Sequence, residues 1–256
     1  AELLRPLVNK VDIDPFGTVT GILVSPQPGA KTVLLDAHLD QIGFVITEVL
    51  DGGFLRFAPV GGVDPRMLLG CEVTILAAES LSCTPPHLMQ AGEQDKAVPI
   101  HEMLIDTGFE DARLRIPVGT PVVFRQQPVQ LSKGVFMSKC LDDRAGILAI
   151  LQALRQLDRK QLAVNVAVLF SCQEEVTSLG ALTGAFRIRP DYAIAVDVSH
   201  AKTPDAPAGE TFEFGGGVMI GMGPNMNTAL TRALLRLARA EEIDHQIEVM
   251  EGNTGT

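Results

Sequence analysis

Four sets of acidic or histidine residues border apolar runs, a placement suited to holding divalent cations. Ala37-His38-Leu39-Asp40 follows Thr32-Val33-Leu34-Leu35, and Leu141-Asp142-Asp143-Arg144 opens a helical pattern. Gln173-Glu174-Glu175 follows Val166-Ala167-Val168-Leu169-Phe170, and Asp197 follows Ala193-Ile194-Ala195-Val196. Buried strands tolerate carboxylates poorly, so acids recurring at strand ends call for a cation or a reaction. Ligands of open α/β sheets also bind beyond the carboxyl ends of the strands. The pattern points to a hydrolytic metalloenzyme.

Each set has its own chemistry. His38 and Asp40 form an H-x-D whose side chains share one side of an extended chain. The imidazole suits a metal ligand, and Asp40 suits a carboxylate that steers neighbouring ligands from behind. Asp142 and Asp143 precede a helix, where a cap and a dipole-complementing acid explain one of the pair. A carboxylate bridging two cations explains the other. Glu174 and Glu175 repel each other just past a buried strand unless something positive sits there. One can ligate a metal while its neighbour serves as general base on an activated water. Asp197 repeats the strand-end placement. Taken singly these are also a structural histidine, helix caps and solvated loop acids; their joint order carries the argument.

The elements that must position them divide the chain. Residues 18–60 read as β-rich, with runs at Thr18–Val24, Thr32–Leu35, Gly43–Val49 and Phe54–Pro59 separated by Gly/Pro turns. Between Gly61 and about Lys133, short β runs (Cys71–Leu76, Thr120–Phe124) alternate with turns and show no convincing helix, which suits a small β-barrel or sandwich module. After that the pattern is βαβ-like. A helix over Asp143–Leu157 carries Ile147, Ile150, Leu151, Leu154 and Leu157 on one face. Leu162–Phe170 reads as a buried parallel strand, followed by a short helix at Leu179–Phe186, a strand at Tyr192–Val198 and a helix at Asn227–Glu242. The expectation is an α/β, mixed-sheet domain made of residues 1–60 and 133–256, interrupted by a β-rich domain at 61–132.

With 21 basic and 31 acidic residues the net charge is −10 and there is no basic run, which argues against nucleic acid or an anionic membrane as partner. No stretch approaches the roughly 20 apolar residues of a membrane helix. The four cysteines show no C-x-x-C spacing and read as reduced thiols of a cytoplasmic protein.

The run His38-x-Asp40-x-Ile42-Gly43-Phe44, then Cys140-Leu141-Asp142-Asp143-Arg144-x-Gly146, Gln173-Glu174-Glu175-Val176 with Gly180-Ala181, and Ala195-Val196-Asp197-Val198 resembles the M42 family of metalloaminopeptidases. That family includes the TET aminopeptidases and proteins once labelled endoglucanases. Asp14-x-x-Gly17, Pro85-Pro86-His87-Leu88, Gly221-x-Gly223-Pro224 and Gly252-x-Thr254-Gly255-Thr256 extend the similarity over nearly the whole chain.

The resemblance implies a metallopeptidase (phosphorylase/hydrolase-like) domain with an inserted PDZ-like barrel for dimerisation, and homo-oligomers up to tetrahedral dodecamers. It implies two divalent metal ions, of which Zn or Co suits the mixed N and O donors. His38, Asp142 and Asp197 would hold one ion and Glu175 with Asp142 the other; Glu174 would be the general base and Asp40 an orienter. A cis peptide joins the two adjacent aspartates in that pattern. The substrate would be short peptides, trimmed from the amino end.

Three departures stand out. Gln41 takes the place of a usual glutamate, and Thr177-Ser178 stands where a glycine is usual. The family's last ligand, a histidine, lies beyond the Gly-Thr motif at which this sequence stops, so the second metal position is one ligand short and lost N- and C-terminal ends are expected. His200 and His245 are the nearest alternatives by position; His87 and His101 read as structural. Two other functions fit part of the pattern: a metal-dependent hydrolase of another substrate (a deacylase or glycan enzyme), and an inactive subunit lacking the last ligand.

Overall fold

In the computed structural model the described residues are 1–77, 80–83, 96–206 and 211–250. The chain begins with a turn whose Leu4 and Val8 enter the core, then runs through β1 (Lys10–Ile13), β2 (Val19–Leu23) and β3 (Thr32–His38). Next come β4 (Gly43–Val49), β5 (Phe54–Val60), β6 (Glu72–Ile75), β7 (Ser80–Cys83), β8 (Ile105–Asp106), a single helical turn α1 (Ala112–Arg115) and β9 (Pro121–Phe124). The hairpin β10 (Val129–Ser132) and β11 (Val135–Met137) leads into helix α2 (Leu141–Gln156) and strand β12 (Asn165–Ser171). A one-turn helix α3 (Glu174–Thr177), helix α4 (Leu179–Ile188) and β13 (Tyr192–Ala195) follow. The described chain ends with β14 (Val218–Met222), α5 (Thr228–Ala240) and β15 (His245–Val249).

One sheet, in the order β1-β2-β12-β3-β13, carries the site. β12, β3 and β13 are mutually parallel, β2 runs antiparallel to β12, and β1 pairs antiparallel with β2. The near-continuous apolar run of β12 has a physical reason, since both of its faces are covered. Val166, Val168 and Phe170 pack with Leu23 and Ala37 against Ile150, Leu151 and Leu154 of α2. Ala167 and Leu169 face the other way and pack with Leu34 against Ala185 and Ile188 of α4. Burying a side chain of this size contributes about 1.5–3 kcal/mol each, which anchors the strand whose end carries Glu174.

Strands β4 to β9 close a barrel in the order β4-β5-β8-β7-β6-β9. Its core is Phe44, Ile46, Leu55, Phe57, Val73, Ile75, Ile105 and Val122, with Phe44 edge-on to Phe57 at 5.0 Å between ring centroids. Alternation explains this interior: Leu55 and Phe57 point in while Arg56 points out. The barrel takes in β4 and β5, so a division before residue 61 falls after two of its strands. The hairpin β10–β11 likewise straddles the expected boundary at 132/133. Local pattern could not place β4 and β5, because their membership rests on distant pairings such as Phe44 with Val122.

The remaining differences are small. β1 is short and largely exposed and gave no signal, while α1 is too short to give one. β12 starts at Asn165 rather than Leu162; the Leu162 carbonyl instead accepts the Ser25 hydroxyl. Asn227 caps α5 by accepting the backbone N–H groups of Ala229 and Leu230. The motifs Pro85-Pro86-His87-Leu88 and Gly252–Thr256 lie outside the described residues.

Candidate metal centre

Register brings the acids together. Ser171 at the end of β12 pairs with His38 at the end of β3, so the chain emerging toward Glu174 starts beside the histidine. Ala195 pairs with Asp36, and two further residues bring Asp197 level with His38 on the other flank. Asp142 approaches from the start of α2, where the Asp142–Asp143 peptide is cis as the resemblance implied.

His38 is 1% exposed and lies at the centre. Its Nε2 is 2.7 Å from Asp142 Oδ1, 3.8 Å from Glu174 Oε2 and 4.0 Å from Asp197 Oδ1. Its Nδ1 faces Asp40 Oδ1 at 3.6 Å and has no hydrogen-bond partner. Two groups of donors converge: His38, Asp142 and Asp197, and His38, Glu174 and Glu175, each with donor atoms within 4.8 Å of one another. Among the described residues, His200 and His245 join neither group. His245 Nδ1 lies 2.9 Å from the Ile243 carbonyl, and His101 is an exposed residue on the barrel.

Asp40 does more than face His38. Its Oδ1 accepts the N–H of Glu174 at 3.1 Å and its Oδ2 accepts that of Glu175 at 3.2 Å. One carboxylate therefore fixes the backbone of both glutamates and stands behind the imidazole. Gly61, at the barrel's edge, has a left-handed φ of +80°, and a Cβ there would lie 3.3 Å from the Glu175 Cβ and 2.7 Å from Ile42. The barrel side of the site thus needs glycine at that position.

Asp143 belongs to neither donor group and is fully buried, its Oδ1 accepting the Gly146 N–H at 2.9 Å. A Cβ on Gly146 would lie 2.5 Å from both Asp143 carboxylate oxygens, which explains the glycine of the motif. Of the two adjacent aspartates, then, Asp142 faces His38 and Asp143 holds the helix start.

The electrostatics are those of crowded acids. Burial pushes Glu174, Glu175 and Asp197 above the usual carboxylate range, and repulsion from neighbouring acids adds to it. Burial and the nearby Asp197 raise Asp143 to about 7. Burial alone would lower His38, but Asp40 and Asp142 outweigh it and hold the imidazole up at about 10. Burial also works to raise Asp40, yet His38 and the two backbone N–H groups win and lower it. Arg144 sends its guanidinium to the Leu39 carbonyl at 3.1 Å. A divalent cation fits this donor set: an imidazole nitrogen and four carboxylates converge, and protons are otherwise left to neutralise them.

Sequence reasoning missed two contacts here. Cys140 donates its thiol hydrogen to Gln41 Oε1 across 2.7 Å, joining the segments that follow β3 and precede α2. Asp36 is buried on the same face of β3 as His38, and burial raises its carboxyl to about 6. Its even spacing from His38 was the available signal.

Comparison with known proteins agrees with this geometry. The statistical model of the M42 glutamyl aminopeptidase family matches residues 17–256. The chain belongs to the M42 peptidase family. It is 29% identical over 265 residues to the lysyl aminopeptidase of Pyrococcus furiosus, covering 100% of this chain and 75% of that protein. Its fold matches an aminopeptidase from the archaeon Desulfurococcus kamchatkensis with a TM-score of 0.88 and 32% identity, covering 99% of this chain and 74% of that one. The TET1 peptidase of Pyrococcus horikoshii, described as assembling into a tetrahedron or a large octahedral shell, matches with a TM-score of 0.82 and 30% identity, covering 99% and 79%. As an M42 member the chain is a peptidase hydrolase, with the mixed α/β fold of the TET aminopeptidases.

Proposed function

We propose that this M42 chain is an aminopeptidase that trims short peptides from the amino end, using two divalent cations and Glu174 as general base. The observation that carries the reading is that His38 is shared by two groups of donors, one with Asp142 and Asp197 and the other with Glu174 and Glu175. His38, Asp142 and Asp197 would hold one ion, and Glu175 with Asp142 the other. When bound, such cations supply Lewis acidity toward water and toward the scissile carbonyl, a role that suits Zn or Co with these donors.

Glu174 takes the proton of the attacking water on its carboxylate and delivers it to the leaving amine. Its placement supports that role, because Glu174 Oε2 lies 3.8 Å from His38 Nε2, beside the donors that would hold the cations. Asp40 fixes where Glu174 and Glu175 sit through their backbone N–H groups. The substrate's free amine would contact one of the cations or a nearby acid.

The amino-terminal residue removed is a separate matter, because the family is described by a glutamyl activity and one relative by a lysyl activity. We further place the chain in a homo-oligomer, after the assemblies described for a structural relative, with the barrel as the dimerisation module. We also place its action in the cytoplasm, as the cysteine spacing of the sequence suggests. Among the described residues no helix is long and apolar enough to cross a membrane.

The test is turnover of aminoacyl-arylamides and of β-glucans, with and without chelator. The reading expects arylamide turnover that chelator abolishes and Zn or Co restores. Chelator-insensitive glucan cleavage would replace it with a glycan hydrolase, and no turnover after metal loading would leave an inactive subunit.

A further inference from the structure

The loop that carries Asp197 is gripped by a strand outside the central sheet. β15 alternates, with Ile247 and Val249 exposed on one face and Gln246 and Glu248 half-buried on the other. Both half-buried side chains hold the excursion that follows Asp197. Glu248 Oε1 accepts the Ser199 hydroxyl at 2.8 Å, at the start of that excursion. At its far end the Gln246 amide accepts the Glu213 N–H at 2.9 Å and donates to the Glu213 carbonyl at 3.2 Å. The two ends are also tied to each other, because the Phe212 N–H donates to the His200 carbonyl and the Lys202 N–H to the Phe212 carbonyl.

Asp197 sits two residues from Ser199, where regular β pairing has ended: β13 stops at Ala195, and the last bond to the sheet is from the Val196 N–H to the Asp36 carbonyl at 2.8 Å. Beyond Val196, Asp197 engages only the neighbouring Val198 N–H, at 2.7 Å, among the hydrogen bonds of the described residues. A ligand on a segment with so few constraints needs an outside support to face His38 reproducibly.

We propose that Glu248 and Ser199 are positioning residues for Asp197, through which the β14–α5–β15 unit holds a metal ligand in place. This rests on the metallopeptidase reading above. Neither side chain touches the reacting atoms. Their hydrogen bond sets where the Asp197 segment leaves the sheet, so metal affinity follows the docking of β15.

The experiment measures zinc affinity of the full chain by competition with a chromophoric chelator, for wild type, Ser199→Ala, Glu248→Ala and Glu248→Gln. The melting temperature of each zinc-free variant and the KM–kcat split on an aminoacyl-arylamide are recorded alongside. Ser199→Ala and Glu248→Ala should each weaken zinc binding by about tenfold, the lower end for loss of a support behind a ligand. Their zinc-free melting temperatures should stay near wild type, and kcat should fall more than KM rises. Glu248→Gln should bind zinc nearly as well as wild type, because its amide oxygen accepts the same hydroxyl. Wild-type affinity in both alanine variants would overturn the positioning role while leaving the metallopeptidase reading intact. So would a Glu248→Gln variant as weak as Glu248→Ala, since charge rather than the hydrogen bond would then be at work. A wild-type chain that neither binds zinc nor turns over arylamide would remove both.

Discussion

Asp40 organises the site from behind. Asp40→Ala removes the acceptor for two backbone N–H groups and the carboxylate facing His38 Nδ1, so kcat should drop by roughly 10–100-fold. Asp40→Asn keeps one acceptor oxygen and should fall between the two, which steady-state kinetics on an aminoacyl-arylamide will show. Asp36 gives a separate, pH-dependent signature. Its folded carboxyl titrates near 6 and its unfolded one near 3.8, so the folded state holds the proton more tightly. Asp36 should therefore contribute a decline in the stability of the metal-free protein on the order of 3 kcal/mol as pH rises from about 4 to 6, on top of the decline from Asp143. Asp36→Asn should flatten that decline in urea melts taken across the window; an unchanged slope would refute the assignment. At this scale the sequence was informative: His38, Asp142, Glu174, Glu175 and Asp197 were legible because acids at the ends of apolar strands are anomalous. The double grip of Asp40 on α3 was not, since it joins segments 134 and 135 residues apart.

At the scale of elements, the site depends on how α2 begins. The Gly146 N–H bonds the Asp143 carboxylate at the helix start, directly after the Asp142 that faces His38. Gly146→Ala places a methyl group 2.5 Å from the Asp143 oxygens, so it should cost about 1–3 kcal/mol of stability and weaken metal binding as well. Calorimetry with and without zinc will separate the two effects. The strands β3 and β4 and the helices α4 and α5 were legible from periodicity and turn residues. A small barrel or sandwich was legible as a class, but which strands close it was not, because closure depends on pairings such as Val73 with Phe124 that local pattern does not encode. The pairing of β14 with β15, separate from the central sheet, was equally hidden.

At the scale of the molecule, an acidic chain exposes apolar side chains on its hairpin β10–β11, with Leu131 at 61% and Phe136 at 60%. A lone two-stranded hairpin is marginal in water, and exposed apolar clusters favour association. Light scattering should accordingly give a mass that is a multiple of the 27.4 kDa chain, and Phe136→Ser should lower it if that hairpin lies between copies. A monomer at micromolar concentration would contradict the proposed assembly.

The central claim is that Glu174 moves the proton while other residues hold the metal. Its most direct test is metal content and turnover measured together on Glu174→Gln after loading with zinc. The account predicts metal content close to wild type with turnover reduced by at least about 100-fold, the lower end for loss of a general base. Turnover near the wild-type rate in that variant would contradict it.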